Sequence, residues 1–272
     1  MSRDREFILG KHIYKSVSDR GENILTFYGS DKESLSDLVK ANLLQMSGSF
    51  VVVDEKGELY KATAGILSEN GYDIEVFNLN SLSGKKVCNI PDIGIKKLAV
   101  FCIVDDVNTI YNTVTGLLLL QIAEQFYYKA DSNNGSLDIP VTFFLIDMIT
   151  GFIPLEYFAT SRSRNINFFI AVRDMKQLNH MYGEEQAQDI LYLCDNAIFF
   201  DRKTYVSKSD SQSLYSNAQF LNLYWGKNDC FICNVNNCFE IIKDKKYKID
   251  KHLLYSQMIK AECCSDSEGG TV

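Results

Sequence analysis

The stretch 23–60, NILTFYGSDKESLSDLVKANLLQMSGSFVVVDEKGELY, constrains the fold more than any other part of the chain. It opens on a β-branched and aromatic run, Ile24, Leu25, Thr26, Phe27 and Tyr28, with the composition of a strand. A polar loop comes next. Leu35, Leu38, Val39, Asn42, Leu43 and Met46 then recur at i, i+3, i+4, i+7, i+8 and i+11, one stripe of a helix that is apolar except at Asn42. Phe50, Val51, Val52 and Val53 make a second strand, closed by Asp54. Strand, short loop, amphipathic helix and strand in that order specify a βαβ unit and hence a parallel sheet. In many folds the loop of such a unit cradles phosphate, because free backbone N–H groups converge at the helix N-terminus.

The alternation continues. Leu59, Ala62, Thr63, Ile66 and Leu67 give a second amphipathic helix stopped by Gly71, and 73–77 a third strand. Residues 79–97 lack periodicity and read as a linker. The run 98–104 is almost wholly apolar, as a strand covered on both faces should be. A long helix over 107–129, a loop at 132–135, a buried strand 141–146 ending in Asp147, a strand 167–172, helical periodicity through Cys194 and a strand 197–200 complete the series. Over 22–200 this pattern specifies an α/β, doubly wound, mainly parallel sheet. Residues 7–14 predict a short strand or edge hairpin before it. After it come a Ser-rich polar loop, 203–216, and two short strands, 229–235 and 238–242, about Asn236 and Asn237. The expectation is one domain spanning 1–255, of which 201–255 is polar loop and terminal hairpin, and a tail, 256–272, disordered in part.

Ligands of such sheets sit beyond the carboxyl ends of the strands. Gly29 to Leu35, Asp54 to Glu58, Asp105, Asp106, Asp147, Met148 and Arg173 are therefore the residues to weigh. The net charge of −7 argues against a surface that binds a polyanion unaided, since counterion release needs clustered Lys and Arg. No apolar run approaches the length of a membrane span and no export leader is present, which predicts a cytoplasmic protein. The eight Cys form no paired framework, as in a reducing compartment. Cys230, Cys233 and Cys238 have one spacing that suits zinc, but positions three apart on a strand face opposite sides, so no metal site is expected. His12, His180 and His252 are isolated.

Taken in order, several segments resemble the nucleotide-binding domain of the type IV secretion coupling proteins, the TraG/TraD conjugative DNA-transfer ATPases. Val52 to Leu59 is similar to that family's strand ending in Asp-Pro-Lys-Gly-Glu-Leu, and Gly71 to Leu79 is similar to the family's next stretch of chain. Phe144, Leu145, Ile146 and Asp147 resemble its Walker B strand, and Ile153 to Ile166 the segment after that strand. Lys243 to Tyr247, with Lys251 and His252, resemble the end of the domain. The resemblance implies a RecA-like P-loop NTPase-type fold in a bacterial cytoplasm. Its partners would be type IV secretion or relaxosome proteins, an intact coupling protein, or further copies of the chain, and these could recruit it to the membrane.

The chain departs from the family where nucleotide chemistry resides. In place of G-x-x-x-x-G-K-[ST] stands Tyr28-Gly29-Ser30-Asp31-Lys32-Glu33-Ser34-Leu35, so Ser34 replaces the phosphate-binding Lys and Leu35 the hydroxyl that holds Mg²⁺. The Walker B acid pair is reduced to Asp147 before Met148. The family's membrane helices and its large helical domain, which would fall near 84–95, are not found. Asp31 and Glu33 put carboxylates where phosphate oxygens would lie, at a cost of about 4 kcal/mol per contact at ~4 Å and an effective dielectric of ~20. The nucleotide loop is thus degenerate at Gly29, Ser30, Lys32 and Ser34, with Asp54, Lys56 and Glu58 nearby and Asp147 as a degenerate Walker B acid. No ATP or Mg²⁺ is expected. Asp54 can equally cap a helix, Asp147 can be a loop-bonded carboxylate, and Arg162 and Arg164 are either inter-subunit arginines or surface ones. A non-hydrolysing coupling-protein-like component with weak or no DNA binding is the preferred reading. A translocase subunit with an atypical loop and an inactive remnant are the alternatives.

Overall fold

The computed structural model describes residues 6–16, 22–79, 93–104, 109–148, 151, 153–201, 224–235 and 240–259. The 79–97 linker, Asp105 and Asp106, the Ser-rich loop, the turn at Asn236 and Asn237, Cys238 and the tail lie wholly or largely outside them.

Among the described residues a nine-stranded sheet dominates. Its strands are β3 (Ile24–Phe27), β4 (Ser49–Glu55), β5 (Asp73–Asn78), β6 (Leu98–Val104), β7 (Val141–Ile146), β8 (Ile166–Val172), β9 (Asn196–Phe199), β10 (Asp229–Asn234) and β11 (Glu240–Lys245), in the order β11-β10-β9-β3-β8-β7-β4-β6-β5. Every pairing from β9 to β5 is parallel, and β10 and β11 add an antiparallel edge. The apolar runs at 24–28, 50–54, 98–104, 141–147 and 166–172 therefore supply strands inside the sheet, as their composition predicts, with Tyr28 and Asp147 just past the ends of β3 and β7.

Alternation along the strands divides the apolar interior into two cores. Leu25, Val51, Val53, Phe143, Phe168 and Ile170 face α3 (Thr109–Ser132), α4 (Leu155–Thr160), α5 (Met175–Tyr182) and α6 (Glu184–Leu193). Ile24, Phe50, Val52, Phe144 and Phe169 face α1 (Lys32–Leu44) and α2 (Glu58–Glu69). Both faces are covered, which is why these strands read as unbroken apolar runs. Cys230 joins the second core and Cys233 the first, so the two thiols point away from each other. The single helical periodicity ahead of Cys194 proves to be two helices, because Gly183 turns left-handed between them with φ of +85°.

The N-terminal apolar piece forms an antiparallel hairpin, β1 (Glu6–Ile8) and β2 (Tyr14–Ser16), separate from the large sheet. Asn42, the polar exception on the α1 stripe, explains how it is held. The Asn42 Oδ1 accepts from the Ile8 amide at 2.7 Å, and its Nδ2 donates to the Ile8 carbonyl at 3.0 Å and to Leu38 at 2.9 Å. Thus a buried amide side chain clasps the hairpin as a neighbouring strand would. A second fastening lies at β11. The Lys11 amide donates to the Lys245 carbonyl at 2.9 Å, and Asp244 accepts from the His12 amide and meets the His12 ring, both at 2.8 Å.

Asn42→Ala removes both Ile8 bonds and leaves a buried donor and a buried acceptor unmatched, each costing about 1–3 kcal/mol. Urea unfolding should show a loss of about 3 kcal/mol, with the Ile8 amide exchanging faster than the α1 amides. An unchanged midpoint would contradict the clasp.

Candidate functional site

The strand order brings the carboxyl ends of β3, β8, β7 and β4 side by side, so the loops that leave them share one end of the sheet. The loop after β3 is short. Gly29 takes φ of +63° there, and α1 begins at Lys32. Three of its amides donate within the chain: Tyr28 to Val172 at 3.1 Å, Gly29 to Arg173 at 3.0 Å and Asp31 to Tyr28 at 3.0 Å. Asp31 caps α1, its carboxylate accepting from the Ser34 amide at 3.0 Å and the Ser34 hydroxyl at 2.9 Å.

Two clusters of charge grow from this loop. In the first, the Lys32 ammonium lies 3.0 Å from Glu55 at the end of β4 and 3.0 Å from Asp147 after β7. The second oxygen of Asp147 accepts from the buried Tyr28 hydroxyl. Burial, then the neighbouring Asp147, push that hydroxyl well above the usual phenol range. Burial pulls the Lys32 ammonium down, but the carboxylates of Asp147 and Glu55 outweigh it and hold it above its ordinary value. Lys56 approaches Glu55 only to 4.0 Å.

The second cluster is more enclosed. Lys246, just beyond β11, has a side chain only 6% exposed, with its ammonium 2.6 Å from Asp31 Oδ2. The ammonium also donates to the Lys227 carbonyl at 3.2 Å and lies 5.5 Å over the Phe200 ring. Burial raises the Asp31 carboxyl, but Lys246 and Ser34 outweigh it and keep it below the usual carboxylate range. These groups border a cleft of about 410 Å³ lined also by Ser30, Trp225 and Lys248.

Two family models match the chain. The type IV secretory system conjugative DNA transfer family matches residues 36–93, and the TraM recognition site of TraD and TraG matches residues 148–214. Both models describe type IV coupling proteins, and these two segments of the chain are similar to that family. No curated protein matches it. The bacterial conjugative coupling protein TrwB in unbound form superposes with a TM-score of 0.58 at 10% identity, over 85% of this chain and 85% of that one. TrwB bound to a non-hydrolysable ATP analogue gives 0.56 at 10% identity, over 92% and 91%. The chain therefore shares the fold of TrwB, a P-loop NTPase fold.

Such a fold implies a triphosphate with its divalent cation, and the residues present do not fit one. A phosphate cradle needs convergent free amides and a cation among them. Here the Tyr28, Gly29, Asp31, Ser34 and Leu35 amides all donate within the chain. The Asp31 carboxylate sits at the helix terminus, and Lys32 turns away to bond Asp147 and Glu55. Leu35 is buried in the apolar core beneath α1, and Met148 in the core on the other face. Among the described residues no group of three or more His, Cys, Asp or Glu is placed to hold a metal ion.

The remaining residues singled out in the sequence separate. Asp54 is buried and bonds the Leu59 amide at 3.1 Å and the Tyr60 amide at 2.7 Å, at the start of α2. Gly57 turns left-handed there with φ of +73°, Lys56 is largely exposed, and Glu58 opens the helix. Arg162 and Arg164 precede β8 and so lie at the opposite end of the sheet, held by Asp195 at 2.7 Å and Asp131 at 2.8 Å. Tyr28 and Lys246 are site residues that sequence reasoning did not select, whereas Glu55 lies within the strand-end stretch 54–58 that it singled out. Glu55 comes directly after a strand-end Asp, which is a usable signal, whereas nothing local marks Lys246 as the partner of a residue at 31.

Burial raises the Asp54 carboxyl from 3.8 to about 6, against the pull of the Tyr60 and Leu59 amides. Because the folded value is raised, the native state binds more protons than the unfolded chain between about pH 4 and 6. Ionised Asp54 therefore lowers stability as pH rises through that window, by about 3 kcal/mol at ~1.4 kcal/mol per pH unit. Asp54→Asn should gain about that much relative to the parent between pH 4 and pH 7. Parallel stability curves would show the inference wrong.

Proposed function

We propose that the chain serves conjugative DNA transfer as a non-hydrolysing coupling-protein-like subunit that acts through protein contacts. One observation carries the reading: the ammonium groups of the site, Lys32 and Lys246, are already paired with carboxylates of the chain. Asp31 supplies an anion at the start of α1, and Lys32 supplies a cation between Asp147 and Glu55. Lys32 is half-exposed, so its ion pairs add little stability. Their consequence is occupancy, since a magnesium-bound triphosphate would have to displace both charges.

The match of residues 148–214 to a TraM recognition site supports a relaxosome or type IV channel protein as the partner. A further copy of the chain is the other candidate. Among the described residues no helix is long and apolar enough to cross a membrane. On this reading the subunit works on the cytoplasmic side and reaches the membrane through its partners.

ATP turnover should be indistinguishable from a buffer blank. Steady-state phosphate release above that blank, abolished by Asp147→Ala, would instead establish an ATP-driven translocase subunit.

DNA should bind weakly. Lys243 and Lys245 converge on Asp229, Lys246 pairs with Asp31, and Lys251 lies 3.1 Å from Asp250. Lys248 lies 3.7 Å from Glu33 and 3.8 Å from Asp37. The most basic part of the sequence thus presents ammonium groups already matched by carboxylates. An anisotropy titration at ~0.15 M salt should give no better than the ~10⁻⁴ to 10⁻⁶ M typical of non-specific binding. Sub-micromolar binding with a steep salt slope would overturn this expectation.

A further inference from the structure

The cleft beside α1 combines three features. It is bordered by a nearly buried ammonium, that of Lys246, with the Asp31 carboxylate 2.6 Å away as its counter-ion. It contains two further cations beside two carboxylates, Glu33 and Asp201: Lys227 is exposed, and Lys248 is held only loosely, 3.7 Å from Glu33 and 3.8 Å from Asp37. And it is open: the Asp31 side chain is 30% exposed and faces a volume of about 410 Å³. A buried ammonium requires an anion, because an unpaired charge removed from water is strongly unfavourable. Here that anion belongs to the chain, and it stands at a mouth wide enough for an exchangeable one.

We propose that Asp31 is an autoinhibitory ligand of its own cleft. Its carboxylate, matched to Lys246, holds the place of a polyphosphate-type anion, and the chain admits such an anion only when that carboxylate is removed. The inference rests on the reading of this loop as a degenerate nucleotide loop, and it adds that a different cation, Lys246, faces the loop and is masked by Asp31. Lys246 is brought in from 215 residues away along the chain. The masking therefore also ties the C-terminal hairpin to the loop, and loop and hairpin must part for the cleft to change its occupant.

Inorganic tripolyphosphate titrated into the whole chain tests this. Asp31→Asn and Asp31→Ser both keep an N-cap acceptor for α1 while removing the charge. Trp225, the single tryptophan, lines the cleft and reports binding by its fluorescence, with calorimetry as the independent measure. Both variants should bind on the order of a hundredfold more tightly than the parent, because a like-charge contact is removed and Lys246 is released. Adding Lys246→Met to Asp31→Asn should cancel the gain. Folded variants that bind no better than the parent would overturn the proposal, as would a parent chain that binds equally well. A variant unfolded alone but folded by tripolyphosphate supports it, and variants that stay unfolded with the anion present count against it. Failure of the non-hydrolysing reading shows elsewhere, as ATP turnover by the parent chain with Asp31 in place.

Discussion

A parallel sheet covered on both faces leaves its polar chemistry one place to go. With α3 to α6 on one side and α1, α2 and the N-terminal hairpin on the other, strand side chains from β9 to β6 meet apolar neighbours almost throughout. Charged side chains are then confined to strand ends, where the backbone leaves the sheet and water returns. Tyr28, Glu55 and Asp147 all stand at such ends, and the Lys32 ammonium joins Glu55 to Asp147. The opposite end is resolved in the same way. Asn23 bonds Phe158, Ser161 and the Phe168 amide, while Asp195 accepts from the Asn23 amide at 2.8 Å and from Arg162 at 2.7 Å. Arg162 thereby serves the closure of the sheet at the end remote from Asp147.

Most of the sheet was legible because burial on both faces writes itself as composition. Runs such as 98–104 and 141–146 carry enough β-branched and aromatic residues to exclude other readings. What was not legible depended on single residues acting over distance. Gly183 splits one helical periodicity into two helices through its backbone conformation, without disturbing the apolar spacing on either side. Asn42 stood out as a flaw in the α1 stripe, and its purpose became visible only with Ile8 beside it. The site behaved likewise. The loop's lost glycines and lost lysine were visible in order along the chain, and so was the strand-end acid Asp147. The pairings of Lys32 with Glu55 and of Asp31 with Lys246 were not, because ion pairs across 23 and 215 residues leave no local pattern.

The difference between a lost site and a filled one lies in where charge is left. A loop that had merely lost its glycines would leave amides and carboxylates facing water, where substitution in any direction costs little. In this chain the substituted loop is matched from outside itself. Lys246 is nearly buried and its carboxylate partner is Asp31, while Lys32 is engaged by two carboxylates. Placing a glycine at 31 would remove the α1 cap and strand the Lys246 ammonium, and breaking a buried pair from one side typically costs about 3–5 kcal/mol. Cap and ion pair depend on the same carboxylate, so the two losses would fall together. The occupied state is therefore held by the fold, and emptying it without leaving a stranded charge would require changes at 31 and 246 at once, one in the loop after β3 and one beyond β11.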